Sequence, residues 1–549
     1  MAERFDSRFL REAYSAVPEI GEGRRWYDWP YKTLLAAHRS YFGRRLPRPV
    51  RARILDAINH FHPFHEHDVN RVWSRDDPTC NLHVPDDERV QVPGIWVVEL
   101  FPPSQYSNLD KGIRRNAWDK RRVRYGIGEA NLEVLEQSRA GEGWRWWKLG
   151  EVKSRSASWS PYPDGRSEDL GEWFTAIELV AVQIGAGLTA VLAHFTISPA
   201  GSSYVDSVWH SSHEPEIVRG NGRPRAENRM WVAFRKTQEA RESLHEAARS
   251  WLARALPGAF AAAGEKQPLL DILLFDSYDP LLEEPAEREL LDNIRALGLS
   301  GGHGLHRTTE SLPGLVFEPL DTRLCPSMGR NSFALFGKFE KVAAGIPNLR
   351  AYSGERDGRA IANYAHRKIR NLPVLLSVST YLDLIEAQYA RLRDEARIEH
   401  GNFKARNLKL LRSNFLTLSL DLSSLARDIA AYNSRVFHLD GESEFFSHDS
   451  PWLTERFTQA GRTPRERINL NDQMRRSQAV TAERMLIVDR DYRDILSTVS
   501  SLGSSVDASK LGRIALWVSL LSLVVSLIAL GVAEIGDNSV FQLIWQRLS

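Results

Sequence analysis

The residue types best suited to metal chemistry lie in one short stretch, "HFHPFHEHD". Imidazole and carboxylate groups are the ligands that zinc and other transition metals prefer. The stretch offers His60, His62, His65, Glu66, His67 and Asp68. Pro63 is expected to interrupt any helix that would bring these side chains onto one face, and their spacing matches no zinc pattern. We therefore assign no metal and no cofactor, and metal binding by this cluster stays an open alternative.

A second stretch, "RRNAWDKRRVRYG", has the chemistry to bind anions. Guanidinium groups bind phosphate through paired hydrogen bonds, and Trp118 could stack on a base. The candidate anion-binding residues are Arg114, Arg115, Lys120, Arg121, Arg122 and Arg124. A nucleotide and an anionic lipid headgroup are equally suitable ligands, and a solvated helix face is the alternative interpretation. The net charge of +2 over 549 residues argues against a dedicated nucleic-acid binder, so no sequence-specific nucleic acid is expected.

No stretch of the chain arranges a nucleophile, a base and an orienting group in a recognisable order. Residues that could support hydrolysis are present, and Asp276 directly follows a predicted strand, but the chain has no G-x-S-x-G elbow. They are Asp276, Ser277, Asp279 and His303. An enzyme with its active site in residues 1–360 is therefore kept as an alternative without an assigned catalytic residue.

The composition is that of a globular protein, with 42% apolar and 26% charged residues. Its two cysteines, Cys80 and Cys325, are far apart in the sequence, as expected for a reducing compartment. The N-terminus "MAERFDSRFLREAY" has no apolar core and is not a signal peptide. Most of the chain is therefore expected in the cytoplasm.

Residues 1–360 mix strand-like and helical patterns. The segments "GIWVVELF", "FTAIELVAVQI", "LTAVLAHFTIS", "LLDILLF" and "SFALFGKF" are β-branched or aromatic and predict strands. Only "GAG" separates the second from the third, which predicts a β-hairpin. A long helix is predicted over Arg225–Leu256, before Pro257. Because strands and helices do not alternate regularly, we expect an α+β cytoplasmic domain, with room for two subdomains.

Long helices are predicted to follow this domain. Apolar residues recur at steps of three and four over residues 361–437, the heptad pattern of helical bundles and coiled coils. A polar connector is predicted over 438–470, and a membrane-approaching helix over 471–512. Heptads alone leave two arrangements open, a self-associating coiled-coil stalk and a bundle folded within one chain.

The segment "IALWVSLLSLVVSLIALGVA", Ile514–Ala533, carries no charge and no proline. Its length suits a single helix across the roughly 30 Å of bilayer hydrocarbon. Lys510 and Arg513 precede it, whereas Glu534 and Asp537 follow it. This asymmetry predicts a single-pass protein of the inner membrane, with the N-terminal domain in the cytoplasm and residues 534–549 as a short external tail.

Small residues recur along one face of the predicted transmembrane helix. They are Ala515, Ser519, Ser522, Ser526, Ala529 and Ala533. Small residues four positions apart let helix backbones approach closely, and serine can add an interhelical hydrogen bond. The face therefore predicts packing between copies of the span and a homo-oligomeric protein.

The plan of a cytoplasmic domain, long helices and a C-terminal membrane element resembles the magnesium channels of the CorA type. This chain departs from that family where "LGVAEIGDN" replaces the Gly-Met-Asn motif after the span. The closing "SVFQLIWQRLS" is also too short to form a second span. The resemblance implies no function or site residue for this chain.

Together these patterns predict a non-enzymatic, membrane-anchored sensor, scaffold or effector that acts through homo-oligomerisation of its stalk and transmembrane helix. A membrane-tethered enzyme is one alternative. A pore or ion channel formed by clustered, serine-faced spans is another.

Overall fold

The computed structural model describes residues 27–73, 82–119, 130–141, 146–156, 165–211, 213, 216–219, 224–227, 229–282, 294–299, 304–320, 330–399, 405–433, 443–532, 534–535, 538–539 and 547. The chain divides into two compact units. Residues 1–382 and 427–479 form the first, named the sheet unit, and residues 383–426 and 480–549 form the second, named the helical unit.

The helices of the described residues are α1 (Asp28–Arg39), α2 (Tyr41–Arg45), α3 (Arg48–Trp73), α4 (Tyr106–Arg115), α5 (Asn131–Arg139), α6 (Pro199–His210), α7 (Arg229–Ala255), α8 (Ala259–Ala263), α9 (Phe339–Gly345), α10 (Gly358–Lys368), α11 (Asn371–Glu399), α12 (Ala405–Asn433), α13 (Pro451–Gln459) and α14 (Leu470–Val532). The strands are β1 (Val90–Phe101), β2 (Trp146–Ser154), β3 (Arg166–Glu168), β4 (Phe174–Ile184), β5 (Leu188–Ile197), β6 (Glu216–Arg219), β7 (Pro224–Glu227), β8 (Leu269–Phe275), β9 (Leu305–Thr309), β10 (Val316–Pro319), β11 (Ser332–Lys338), β12 (Phe445–Asp449), β13 (Ile468–Asn469), β14 (Glu534–Ile535) and β15 (Asn538–Ser539). The fold is therefore mixed, with both helices and strands, and all five predicted strand segments are strands.

Eleven of the described strands form one sheet in the order β13-β12-β9-β10-β11-β8-β1-β5-β4-β2-β3. Most neighbouring pairs are antiparallel, whereas β8 with β11 and β2 with β3 are parallel. The central strands β8, β1, β5 and β4 are buried along nearly their whole length. Burial on both faces explains why their sequences are almost continuously apolar.

The β4–β5 hairpin forms at the predicted "GAG" turn. Gly185 has a φ of +61°, a left-handed conformation that glycine adopts without strain. The backbone N–H groups of Ala186 and Gly187 donate to the Asp428 carboxylate at 3.1 and 2.9 Å. A side chain on α12 thus holds the turn that joins the two central strands.

One face of the sheet packs against α4 to α7, and a buried charge cluster joins the longest of these helices to β8. Arg241 on α7 makes two hydrogen bonds to Asp271, with nitrogen–oxygen distances of 2.6 and 2.7 Å. His245, one turn further along α7, lies 2.8 Å from the same carboxylate. Burial alone would raise the pKa of Asp271, but Arg241 and His245 outweigh it and lower that pKa to about 2.

α7 begins at Arg229 rather than at the predicted Arg225, because Pro224–Glu227 pairs with β6.

The opposite face of the sheet packs against α10, whose start is fixed by a side-chain cap. The Asp357 carboxylate accepts a hydrogen bond from the Ala360 N–H at 2.9 Å.

The segment predicted as a polar connector, residues 438–470, contains β12, α13 and β13. β12 pairs with β9 and β13, so these residues extend the sheet.

In the helical unit, a buried carboxylate joins three helices. Asp489 on α14 accepts hydrogen bonds from the Tyr389 hydroxyl of α11 at 2.7 Å and the Ser419 hydroxyl of α12 at 3.0 Å. Arg493, one turn along α14, forms an ion pair with Asp489 at 2.5 Å. The Asp489 side chain is fully buried. The heptad-patterned helices therefore pack together within one chain at this level.

Aromatic side chains surround this polar contact. Tyr389 stacks on Tyr492 with 6.1 Å between ring centroids, and Phe415 meets both rings edge to face. These rings exclude water from the carboxylate, and a hydrogen bond inside such a low-dielectric surrounding is electrostatically stronger than one in water.

Further along α14, Gly512–Ala529 is long and apolar enough to cross a membrane, with a mean hydropathy of 2.0. None of these 18 residues is buried. Among the residues described, it is the one helix segment with this length and composition.

Replacing Asp489 with alanine is predicted to destabilise the helical unit by about 3 kcal/mol or more, because Arg493 and two buried hydroxyls lose their partner. Tyr389→Phe removes one hydrogen bond and should cost about 1 kcal/mol. Urea unfolding of the detergent-solubilised chain, followed by helical circular dichroism, measures both changes.

Asp491→Ala is the matched control, since Asp491 is an exposed aspartate on the same helix. Equal free energies of unfolding for the Asp489→Ala and Asp491→Ala variants would contradict the proposed contribution of the buried contact to stability.

Candidate functional site

A row of polar side chains crosses four neighbouring strands in the interior of the sheet. The register places Trp96 of β1 opposite His194 of β5, and His194 opposite Glu178 of β4. Glu178 in turn lies opposite Glu151 of β2. Residues directly opposite each other in antiparallel strands share one face of a sheet. We call these four residues the polar row.

The helix α10 covers the buried end of the polar row and contributes His366. Gly94 of β1 makes this close approach possible, because a Cβ atom there would lie 3.0 Å from both the Ala362 side chain and His194 Nε2. The helix and the histidine ring therefore occupy the space that any other residue at position 94 would fill.

The aromatic rings at this end form a stack. His194 lies between Trp96 and His366, with centroid distances of 4.9 and 4.6 Å and interplanar angles of 13° and 14°. The Trp96 indole N–H donates to His366 Nδ1 at 3.1 Å. Because Nδ1 accepts this bond, neutral His366 carries its proton on Nε2. That nitrogen lies 3.8 Å from a Glu178 oxygen, too far for a direct hydrogen bond.

His194 is the unusual member of the row. Its side chain is 1% exposed, and neither ring nitrogen has a hydrogen-bond partner among the residues that the structure describes. A neutral imidazole has one donor and one acceptor, and each buried group left unpaired costs about 1–3 kcal/mol. A buried polar group without partners in a well-packed sheet often marks a functional position or the place of a bound water.

Burial lowers the pKa of both histidines. The pKa of His194 falls well below its usual value because of burial and, secondarily, the neighbouring His366, with Glu178 acting in the opposite direction. Burial likewise lowers the pKa of His366, again opposed by Glu178. Both rings are therefore neutral at pH 7, and burial opposes their protonation.

At the other end of the row, cations lie beside the buried carboxylates of Glu151 and Glu178. Lys148 forms ion pairs with Glu151 and with Glu178, the latter at 3.4 Å. The Arg370 guanidinium lies 4.3 Å from the centroid of the Trp146 ring. Arg370 also lies close enough to lower the pKa of both histidines. Lys148 and Arg370 together match the charge of the two carboxylates, so a proton added to either histidine adds an uncompensated charge. Imidazoles next to carboxylates are the usual groups for proton transfer.

The two described arginines of the predicted anion-binding stretch are exposed and have partners within the chain. Arg114 pairs with Asp110 at 3.1 Å, and Arg115 donates to the carbonyl of Ala255 at 2.9 Å and to that of Arg254. Trp118 is 3% exposed in the core and so is not open to a base. The remaining predicted residues lie outside the described residues: Lys120, Arg121, Arg122 and Arg124.

The histidine-rich stretch lies in α3, which continues through Pro63 to Trp73, so the expected helix interruption is wrong. His62 contacts Tyr31 edge to face, and His60 contacts Phe61 in the same way. Within the described part of the chain, no three His, Cys, Asp or Glu side chains are grouped so that they could hold a metal ion.

Two of the residues considered for hydrolysis, Asp276 and Ser277, are held by a structural contact. Glu88 accepts hydrogen bonds from the backbone N–H groups of Asp276, Ser277 and Tyr278 at 2.7–2.9 Å. This contact fixes the chain after β8. His303 lies outside the described residues.

The predicted small-residue face of the span lies on α14. Its members from Ala515 to Ala529 are helical and exposed, and Ala533 lies outside the described residues. The Ser526 hydroxyl donates to the Ser522 carbonyl at 2.8 Å, within the same helix.

The polar row was missed by the sequence analysis, although one signal for it was present. His194 and Glu178 each interrupt an otherwise apolar strand sequence, "LTAVLAHFTIS" and "FTAIELVAVQI". An ionisable residue in a strand buried on both faces needs a partner or a purpose. That rule would have selected both residues. It would not have identified α10, the helix that packs over them and contributes His366.

Comparison with known proteins finds no match: no protein-family model, no curated protein and no solved structure is significantly similar to this chain.

The buried histidines are predicted to make the fold sensitive to acid. Because folding lowers their pKa below about 6.5, the folded state binds fewer protons, and stability is lost as the pH falls below that value. Each unit of pKa difference contributes about 1.4 kcal/mol. His194→Phe should keep the ring stack and weaken the acid sensitivity of thermal unfolding.

His60→Phe, at an exposed histidine, is the matched control and should leave the acid sensitivity unchanged. Identical pH profiles for the His194→Phe variant and the unaltered chain would show that His194 does not titrate on unfolding.

Proposed function

We propose that the protein is a membrane-anchored sensor or effector that acts by homo-oligomerisation of its long helices and its transmembrane helix. The observation that supports this most directly is the exposure of Gly512–Ala529, an 18-residue apolar segment with no buried residue. Exposed apolar surface costs about 25 cal/mol per Å² in water, a cost that a lipid bilayer removes. The helix satisfies all of its internal backbone groups and can therefore enter lipid.

The continuity of α14 favours an active role over simple anchoring. Asp489 holds this helix within the helical unit, and the apolar segment begins 23 residues later in the same helix. No proline occurs between Leu470 and Val532. We propose that a rotation or shift imposed on α14 at Asp489 reaches the apolar segment along this continuous helix, in which Gly503 is the most deformable point before the segment.

We place the bulk of the chain in the cytoplasm, at the inner membrane. Lys510 precedes the apolar segment and Arg513 is its second residue, whereas Glu534 and Asp537 lie beyond it. Positive charge is retained on the cytoplasmic side of single spans. The buried polar row is the candidate input site of the sheet unit, since a bound proton or ligand there alters a balanced set of charges.

The small-residue face is the proposed contact between spans. At helical spacing, Ser519, Ser522 and Ser526 lie on one side, and Leu521 and Val524 lie on the other. The Ser526 hydroxyl is already satisfied within its own helix. The proposed contribution of this face is therefore close backbone approach, with interhelical hydrogen bonds left to Ser519 and Ser522.

Membrane insertion is tested by Leu521→Arg combined with Val524→Arg. Each arginine near the middle of the span costs about 2.5–3.5 kcal/mol, so the double variant should be released from membranes by alkaline extraction. The control is Val480→Arg with Ile487→Arg, which places two arginines at exposed apolar positions of α14 outside the span. Retention of the first variant in the membrane fraction would refute the anchoring role. Release of the control variant to the same extent would refute it as well.

Self-association is tested by replacing Ser519, Ser522 and Ser526 together with leucine. The larger side chains separate the helix backbones, and we expect a smaller mass in detergent by light scattering. Exchanges of similar apolar residues on the opposite side, Leu521→Ile and Val524→Leu, are the control and should leave the mass unchanged. A triple variant with the mass of the unaltered chain would refute packing through this face.

A further inference from the structure

A strongly basic corner lies near the start of the described chain, where α1, α2 and α3 meet. Residues 39–53 contain six arginines and no aspartate or glutamate. We call this segment the basic tip. Its arginines are all exposed: Arg39, Arg44, Arg45, Arg48, Arg51 and Arg53.

The corner has a defined backbone conformation. The Ser40 hydroxyl accepts a hydrogen bond from the Gly43 N–H at 2.9 Å and donates to the Ala37 carbonyl at 2.7 Å. A Cβ atom on Gly43 would lie only 2.0 Å from the Ala37 oxygen. The chain therefore turns sharply between α1 and α2 at a position where a side chain does not fit.

This turn directs large apolar side chains into solvent. Tyr41 is 63% exposed and Phe42 is 80% exposed. Leu46 and Val50, beside the arginines, are exposed as well. The Arg45 guanidinium lies 4.3 Å from the centroid of the Tyr41 ring. Aromatic and aliphatic groups mixed with arginines are the composition of segments that lie at a bilayer interface.

The charge of the basic tip is not neutralised by the rest of the described chain. None of its six arginines forms an ion pair with a carboxylate in the part of the chain that the structure describes. The nearest acidic residues in the sequence are Asp28 and Asp56. Within the described part of the chain, the basic tip therefore presents a net positive surface, whose complement is an anionic partner.

We propose that the basic tip binds the anionic lipids of a bilayer, with its arginines at the phosphate headgroups and Phe42 inserted at the interface. Lipid is favoured over nucleic acid because Leu46 and Val50 gain from leaving water beside the headgroups, whereas a phosphodiester backbone gives them no apolar contact. The proposal rests on the proposed membrane anchorage, since a tethered chain meets the bilayer at high effective concentration.

The test uses the full chain in nanodiscs of phosphatidylcholine alone and in nanodiscs of phosphatidylcholine and phosphatidylglycerol in equal parts. Amide hydrogen exchange is followed by mass spectrometry over residues 39–53. We expect exchange several-fold slower in the anionic discs, with the difference removed by high salt. Arg44→Gln with Arg45→Gln should abolish the difference, and Phe42→Ser should do the same.

The control variant carries Arg350→Gln and Arg462→Gln, two exposed arginines outside the basic tip, and should behave as the unaltered chain. Exchange in the remaining peptides verifies that every variant is folded. Equal exchange in the two disc types would overturn the proposal, and so would protection by added RNA with none by phosphatidylglycerol. Failure of the chain to enter nanodiscs would instead overturn the proposed anchorage.

Discussion

A sheet covered by helices on both faces can hold ionisable side chains only where the protein itself supplies their partners. Asp271 meets this constraint through Arg241 and His245. Glu99 meets it through the N–H groups of Phe260 and Ala261 and the side chain of Gln267, although its burial still raises its pKa to about 7. His194, in the same sheet, has no such partner among the residues that the structure describes. That contrast, rather than any motif, makes the polar row the candidate functional site.

The same constraint organises the helical unit. The carboxylate of Asp489 lies among apolar heptad positions of α14. Its partners, Tyr389 and Ser419, come from two other helices. Such a contact favours one alignment of the helices over others that would leave the charge unpaired. Ile514–Ala529, further along the same helix, carries no ionisable side chain. It has nothing that requires a protein partner, so lipid can cover it.

Sequence patterns predicted the elements well where local chemistry dominates. The hairpin at "GAG" formed as expected, because Gly185 tolerates the left-handed turn and both flanking strands are strongly apolar. The prediction failed where long-range pairing decides. Residues 438–470 look polar and connecting, yet β12 and β13 join the sheet because β9 offers an unpaired strand edge. Trp118, expected to be available for stacking, is buried in the core, where the absence of a side chain at Gly150 leaves room for its ring.

By itself the sequence determined the positions of the central strands, the heptad helices and the apolar C-terminal segment. Those features depend on periodicity and composition within a few turns or strands. Only the tertiary structure decided that Trp96 and His366, 270 residues apart, share a hydrogen bond with His194 stacked against both rings. The order of strands in the sheet and the docking of α10 bring these residues together. Both follow from packing of the whole sheet unit, which no local pattern encodes.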